Sequence, residues 1–495
     1  MNTQEIQSSS LRAASLLEEV LELREAVLSE AVVFEHRFAV DDRTPDQATR
    51  NLAHYLALRR KDLRILQRRL MALGLSSLGR LEGRVLPTLD AVAHALASLA
   101  GREAMVSCQS ETAFFTGESE LTKATTALMG EASPGRRTRV MVTLPGTAAE
   151  NPELIRALAH AGMNIARINC AHDGPDAWRA MTAFVKEAAQ ETGREIRILM
   201  DIAGPKIRTG EISALKKKGK LQAGDRIRLI ATGTPEANAD LPFAAAVSLP
   251  EMVTRLAVGN RLRYDDGKLD AVVEAVSDGE AVIRVERVKA GGVKLKPEKG
   301  INLPDTALGL SPLTAKDELD LATVVECADM IGYSFVSRPD DIDLLDGVLA
   351  RLGQGQKPIG LIAKIEQPAA LANLPDLMVR ARRRGPFGVM IARGDLAAEI
   401  GFERLAEMQE EILWLCEAAS VPCVWATQVL EDMVKEGIPT RSEMTDAAMA
   451  ARAECVMLNK GPAIVDAVSL LDRLLCRMDE HVFKKTPTLR ALKSW

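Results

Sequence analysis

Residues 359–366 read IGLIAKIE, an apolar run followed at once by a cation, Lys364, and an anion, Glu366, two positions apart. Side chains alternate faces along a β-strand, so these two share one face. A run that is apolar on both faces and turns charged at its carboxyl end is how a strand of a parallel barrel reads where it meets an active-site rim. A second run, 387–395 (FGVMIARGD), has the same form and ends in another carboxylate, Asp395. Glu366 and Asp395 are hard oxygen donors suited to a divalent cation, and Lys364 beside them suits a transferring phosphoryl group.

Working outward, short apolar runs alternate with helical segments from residue 138 onward, at 139–144, 164–171, 197–202, 329–336, 359–366, 387–395, 422–428 and 455–458. This succession predicts an α/β fold, a (β/α)8 TIM barrel over 135–210 and 298–480. It is interrupted once. Over 211–297 helical periodicity gives way to short alternating runs such as DRIRLI (225–230) and AVIRV (281–285), with turn signals at 223–224 and 265–267. These predict a small all-β domain, a β-barrel lid inserted after the third strand, where it can exclude water from the rim. Residues 481–495 read as a tail.

The first 134 residues differ. Leu16, Leu17, Val20, Leu23 and Val27 recur at helical spacing with Glu18, Glu19, Glu22 and Glu25 between them, which predicts an amphipathic helix. TPDQ (44–47) carries helix-start signals for a second helix running to Gly74, and 87–101 fits a third. The segment 110–137 is richer in Ser, Thr and Gly and reads as a linker. Arg60, Lys61, Arg64 and Arg68 form a basic stripe, which either docks a phosphate-bearing partner or answers the acidic first helix.

Together these stretches resemble the pyruvate kinase family over about 138–478. The motifs are AGMNIARINCAHD (161–173), MDIAGPKIRTG (200–210), KGINLP (299–304), AKIE (363–366), IARGDLAAEIG (391–401) and ATQVLEDM (426–433), in the family's order and with the insert in the family's place. The resemblance implies phosphoryl transfer from phosphoenolpyruvate to ADP, with Mg²⁺ or Mn²⁺ held by Glu366 and Asp395. It implies Lys364 and Arg167 at the phosphoryl group. The Gly394 and Asp395 amides with the Thr427 hydroxyl would bind the substrate carboxylate, and Thr427 would also serve the proton relay. Arg208, Lys299, His172 and Asn169 are implied on the nucleotide side.

Several positions depart from the family's pattern. In its potassium-dependent members an Asn, a Ser, an Asp and a Thr hold K⁺; here Asn169 and Asp201 stand with Ala171 and Ile202, so two oxygen ligands are missing. Lys206 occupies a position that is glutamate in those members and lysine in potassium-independent ones. Lys206 with Asp201 is therefore expected to form an internal cation site that replaces K⁺. NKGP (459–462) stands where the family has Ser-Gly-Glu-Thr, and TLPG (143–146) where it has Thr-Ile-Gly-Pro. With Trp495 the last residue, the carboxyl-terminal domain that carries sugar-phosphate control in many relatives is expected to be absent, and that control with it.

Composition narrows the classes. A net charge of −5 gives no field that would recruit nucleic acid or an anionic membrane. Seven cysteines without C-x-x-C spacing favour reduced thiols and a cytoplasmic setting over a disulfide framework or zinc site. A homo-oligomer is expected, with the helical region free to contact a further partner. The alternatives are a regulatory protein that binds phosphoenolpyruvate or nucleotide without turnover, and a metal-dependent lyase of the phosphoenolpyruvate/pyruvate barrel group.

Overall fold

The computed structural model describes residues 3–39, 45–215, 219–306, 308–353 and 359–487. Eight parallel strands close a barrel. In chain order they are Arg139–Thr143, Ile165–Asn169, Arg197–Asp201, Met330–Tyr333, Gly360–Ile365, Phe387–Ala392, Cys423–Ala426 and Cys455–Leu458. The eighth closes on the first, with Arg139 opposite Cys455. All eight expected runs are strands, with one correction. The sixth ends at Ala392, and Gly394 and Asp395 belong to the first turn of the helix Arg393–Ile400.

The stretch IGLIAKIE shows how one strand serves two purposes. Leu361, Ala363 and Ile365 pack outward into the large cluster beneath the helices, whereas Ile362 joins Met141, Ile165, Leu199, Met330 and Met390 inside the barrel. Gly360, Ile362, Lys364 and Glu366 thus line one interior face from the floor to the rim.

The floor is a plug. The segment 110–137 is not a linker as expected: it carries the helix Thr116–Met129, whose Leu128 and Met129 are buried among the interior side chains. Burying each is worth about 2 kcal/mol. Space for Leu128 comes from two glycines, because a Cβ on Gly360 or on Gly388 would lie 2.7 Å from its methyl groups. A run of Ser, Thr and Gly has ambiguous local propensity, and the barrel mouth decides its structure.

The helical region consists of Thr3–Phe38, Gln47–Arg59, Arg64–Met71 and Val85–Ala100. Thr44 lies outside the described residues. The second helix is capped by Asp46, which accepts from the Thr49 amide at 2.8 Å, and it stops at Arg59 rather than Gly74. The basic stripe divides: Lys61 pairs with Glu30 of the first helix at 2.6 Å and Arg60 stacks 4.5 Å from the Phe34 ring, whereas Arg64 pairs with Asp62 at 2.6 Å. These helices dock on the barrel. Arg37 bonds Asp376, Arg383 bonds the Phe38 carbonyl at 2.5 Å, and Asn51 Nδ2 donates to the carbonyls of Glu82 and Ala418.

The insert has its own core around Ile227, Leu229, Phe243, Tyr264 and Ile283. Its seven strands form one sheet that includes Thr209–Ala214 at one edge and Ile301–Asn302 at the other, with a short helix, Pro250–Arg255, that the sequence did not signal. The two edge strands are not laddered to each other, but the segments beside them are joined by an isolated bridge between Arg208 and Gly300 and by the Glu298 amide donating to the Thr209 carbonyl at 2.8 Å. The insert is seated on the rim, where Arg263 donates to the carbonyls of Ala397 and Ala398 at 3.0 and 2.7 Å and Asn302 to Glu399 at 2.9 Å.

Candidate active site

Every side chain of the expected site sits at the carboxyl end of a barrel strand or on the passages into the insert. Register explains the central group. Arg167, Asp201 and Lys364 lie on the inward faces near the carboxyl ends of the second, third and fifth strands, and the glycine at 332 opens the fourth strand beside them. A Cβ at Gly332 would fall 2.7 Å from Asp201 Oδ1.

Asp201 is the hub. Its carboxylate accepts from Arg167 Nε at 3.0 Å and lies 3.4 Å from Lys364 Nζ. Arg167 also donates to Thr143 Oγ1 at 3.0 Å, and Lys364 to Ser334 Oγ at 2.8 Å. Lys364 Nζ lies 2.8 Å from Glu366 Oε1, which confirms their shared face. Burial works to discharge Lys364, but Asp201 and Glu366 outweigh it and hold the ammonium above its ordinary value. Burial likewise opposes the Asp201 charge, and Lys364 with Arg167 keeps it ionised.

Glu366 is 2% exposed and accepts from the Phe335 amide at 2.7 Å. Burial pushes its carboxyl up, and the charge of Asp395 adds to that push. Asp395 is itself held below its ordinary value, because Lys206 overcomes the cost of burial. The two carboxylates therefore feel each other's charge. Among the described residues no group of three or more His, Cys, Asp or Glu forms a metal cage. What is offered is a pair of oxygen donors, which suits a hard divalent cation that keeps open positions for substrate and water.

Lys206 is placed differently from the expectation. Its partners are Asp395 at 2.8 Å and, from the insert, Asp266 at 3.9 Å, not Asp201. The reason is topological: Lys206 lies beyond the third strand, on the passage toward the insert, while Asp201 is already committed to Arg167 and Lys364. Asn169 turns its Oδ1 onto the Ala171 amide at 3.1 Å.

The Gly394 amide donates to Thr427 Oγ1 at 2.8 Å, which brings together two of the groups expected at the substrate carboxylate. Thr427 holds a φ of +64°, which a β-branched residue adopts only when its surroundings force it. Arg393 supplies that force. It donates to the carbonyls of Ala426 and Thr427 at 3.0 and 2.6 Å and grips Asp446 with both Nη groups.

Arg208 and Lys299 lie on the two passages between barrel and insert, linked by the Thr209 amide donating to the Lys299 carbonyl at 2.9 Å. Lys299 Nζ lies 3.1 Å from Asp265 Oδ1. His172 is held below its ordinary value by partial burial and by the nearby Lys460 and Arg208 charges. The substituted loop after the eighth strand therefore brings a cation, Lys460, to the same basic group. Sequence reading did not single out Ser334, Gly332, Arg393 or Lys460 as site residues; position at a strand's carboxyl end was the signal that could have found them.

The barrel-domain model of the pyruvate kinase family matches residues 135–464. A pyruvate kinase of Methylorubrum extorquens is 35% identical over 346 residues, covering 68% of each chain. A pyruvate kinase of Mycobacterium tuberculosis is 32% identical over 353 residues, 70% of this chain and 71% of that one. That of Geobacillus stearothermophilus is 32% identical over 357 residues, 70% of this chain and 57% of its own. With the closed barrel, the insert after the third strand and the lysine–carboxylate rim, the chain belongs to the pyruvate kinase family.

Proposed function

We propose that this chain transfers the phosphoryl group of phosphoenolpyruvate to ADP, yielding pyruvate and ATP. The observation that carries the reading is the partly buried, charged Lys364, placed between Glu366 and Asp201 with Arg167 on the far side of Asp201. A ligand-binding protein has no use for a lysine held charged by two carboxylates beside an arginine at the same rim.

In this reading Arg167 and Lys364 face the phosphoryl oxygens as the enol P–O bond breaks and the bond to the terminal ADP oxygen forms. Such transfer relies on positioning and on charge already in place. Asp201 touches no reacting atom in this scheme; it orients the two cations and helps to keep Lys364 charged. The Gly394 and Asp395 amides with Thr427 would hold the substrate carboxylate, and the Thr427 hydroxyl would pass the proton that converts enolpyruvate to pyruvate. Glu366 and Asp395 would hold Mg²⁺ or Mn²⁺, which supplies Lewis-acid neutralisation of phosphate oxygens when bound. Arg208, Lys299, His172 and Asn169 would serve the nucleotide side. The insert, latched by Arg263 and Asn302, would exclude water.

Independence from K⁺ belongs to the same proposal. Lys206 places a fixed ammonium on Asp395, and a unit charge ~4 Å from a phosphate is worth about 4 kcal/mol gross at an effective dielectric of 20. The test is a coupled assay for pyruvate with Mg²⁺, with and without ADP, alongside Lys364→Met. ADP-dependent pyruvate that is lost in the variant supports the kinase. Pyruvate formed equally without ADP points to a lyase, and no product from either protein points to a binding role.

A further inference from the structure

A cavity of about 400 Å³ lies away from the rim, where the helical region meets the outer side of the barrel. Its walls include Arg50 and His54 of the second helix, Arg84, Phe114 and Ser420, the last in the loop leading into the seventh strand. This size is that of a small-ligand site.

The walls are built rather than incidental. Asn51 spends its whole amide on them, donating to Glu82 and Ala418 and accepting from the Val85 amide at 3.0 Å. Gly117 meets Gly83 backbone to backbone, so closely that a Cβ would fall 2.0 Å from the Gly83 carbonyl oxygen. No other residue fits there.

The charges in this cavity are unbalanced. Among the described residues neither Arg50 nor Arg84 has a carboxylate within ion-pair distance. Arg50 spends only its Nε, on the Pro45 carbonyl at 3.1 Å. Arg84 is pre-positioned against two rings, 5.1 Å from Phe114 and 4.9 Å from Phe115. The acidic group in the lining, Glu120, is answered by Lys123 at 2.8 Å. His54 stays neutral: burial, then the Arg50 and Arg24 charges, pulls it down to about 4. The cavity thus presents two guanidinium groups, an aromatic face and the apolar side chains of Leu86 and Pro87.

We propose that this cavity binds a small aromatic phosphate monoester, with the phosphate between Arg50 and Arg84 and the ring against Phe114. Arginine forks match phosphate oxygens in pairs, and the stacked Arg84 loses little freedom on binding. The cavity holds no activated nucleophile, so the inference is of binding and not of a second reaction.

Calorimetric titration of the full chain with phenyl phosphate, in the presence of saturating phosphoenolpyruvate to fill the rim site, tests this. Inorganic phosphate and phenol form separate arms. Phenyl phosphate is expected to bind at least about tenfold more tightly than either half, and Arg50→Gln and Arg84→Gln are each expected to weaken it about tenfold, the scale of one charge-assisted hydrogen bond. Unchanged steady-state kinetics in both variants certify their folding. Ala113→Phe, at an exposed position of the short helix Glu111–Phe114 that lines the cavity, is expected to block binding by bulk alone. Absence of binding, full affinity in Ala113→Phe or in both arginine variants, loss of binding when phosphoenolpyruvate is added, or equal binding by phosphate alone would each overturn the proposal.

Discussion

Lys206 Nζ lies 2.8 Å from Asp395 Oδ1, so a residue on the passage into the insert neutralises a carboxylate at the start of a barrel helix. Burial and the Asp395 charge act on this ammonium in opposite directions, and Asp395 with Asp266 wins, keeping it charged. The two side chains are 21% and 19% exposed, and removing the lysine leaves the Asp395 charge without its main partner. Lys206→Gln is therefore expected to lower kcat/KM about 100-fold or more, with K⁺ unable to restore it. The parent protein is expected to show no strict requirement for K⁺ in tetramethylammonium buffer. A strict requirement, or K⁺ rescue of the variant, contradicts the assignment.

Thr427 combines a needed hydroxyl with an unfavourable backbone. Thr427→Ala keeps the positive φ and loses the oxygen that receives the Gly394 amide; its kcat is expected to fall about 100-fold, as for loss of one preorganised donor or acceptor. Thr427→Gly loses the same oxygen but relieves the backbone. It is expected to be as inactive as the alanine variant yet about 1 kcal/mol more stable by denaturant melting. Equal stabilities would show that Arg393 does not hold this turn under strain.

The barrel floor gives a packing test. Gly360→Ala places a methyl 2.7 Å from Leu128 and 3.0 Å from Met330, and overpacking of this kind costs about 1–3 kcal/mol. Adding Leu128→Ala to that variant is expected to recover part of the loss, although Leu128→Ala alone is destabilising. Additive losses in the double variant would place the plug elsewhere.

A pH effect follows from Glu417, which lies near the hairpin of Val482–Phe483 and Thr486–Pro487 through its interaction with Lys484 and Lys485. Burial, opposed by Lys484 and reinforced by Glu82, pushes its carboxyl from 4.5 up to about 7. A carboxyl that holds its proton more tightly when folded stabilises the fold below its ordinary value of 4.5, and that contribution is lost as pH rises through about 7. Glu417→Gln is expected to abolish this loss, so its melting temperature should gain on the parent's between about pH 5 and about pH 8. Parallel curves would show that Lys484 already compensates the charge.

The local pattern of IGLIAKIE was enough to place Lys364 and Glu366 on one face of a rim-ending strand, because strand periodicity is a property of the chain itself. The same logic found all eight strands and the insert, since apolar runs of that length bury themselves in only a few ways. Asp395 was recognised by type but placed on the wrong element, because the helix Arg393–Ile400 follows the strand Phe387–Ala392 with no connecting residue to mark the boundary.

What only the tertiary structure decided were relations between distant segments. Asp201 became the counter-charge of Arg167 and Lys364, and not a partner of Lys206, through the register of three strands and the space left by Gly332. The segment 110–137 became a plug because a barrel open at its floor offers Leu128 more buried surface than its own weak propensities offer order. The cation-rich cavity beside Arg84 exists only because two glycines, Gly83 and Gly117, bring the helical region and the barrel into backbone contact. Periodicity and residue chemistry are written along the chain, whereas the pairing of charges depends on which strand ends meet in space.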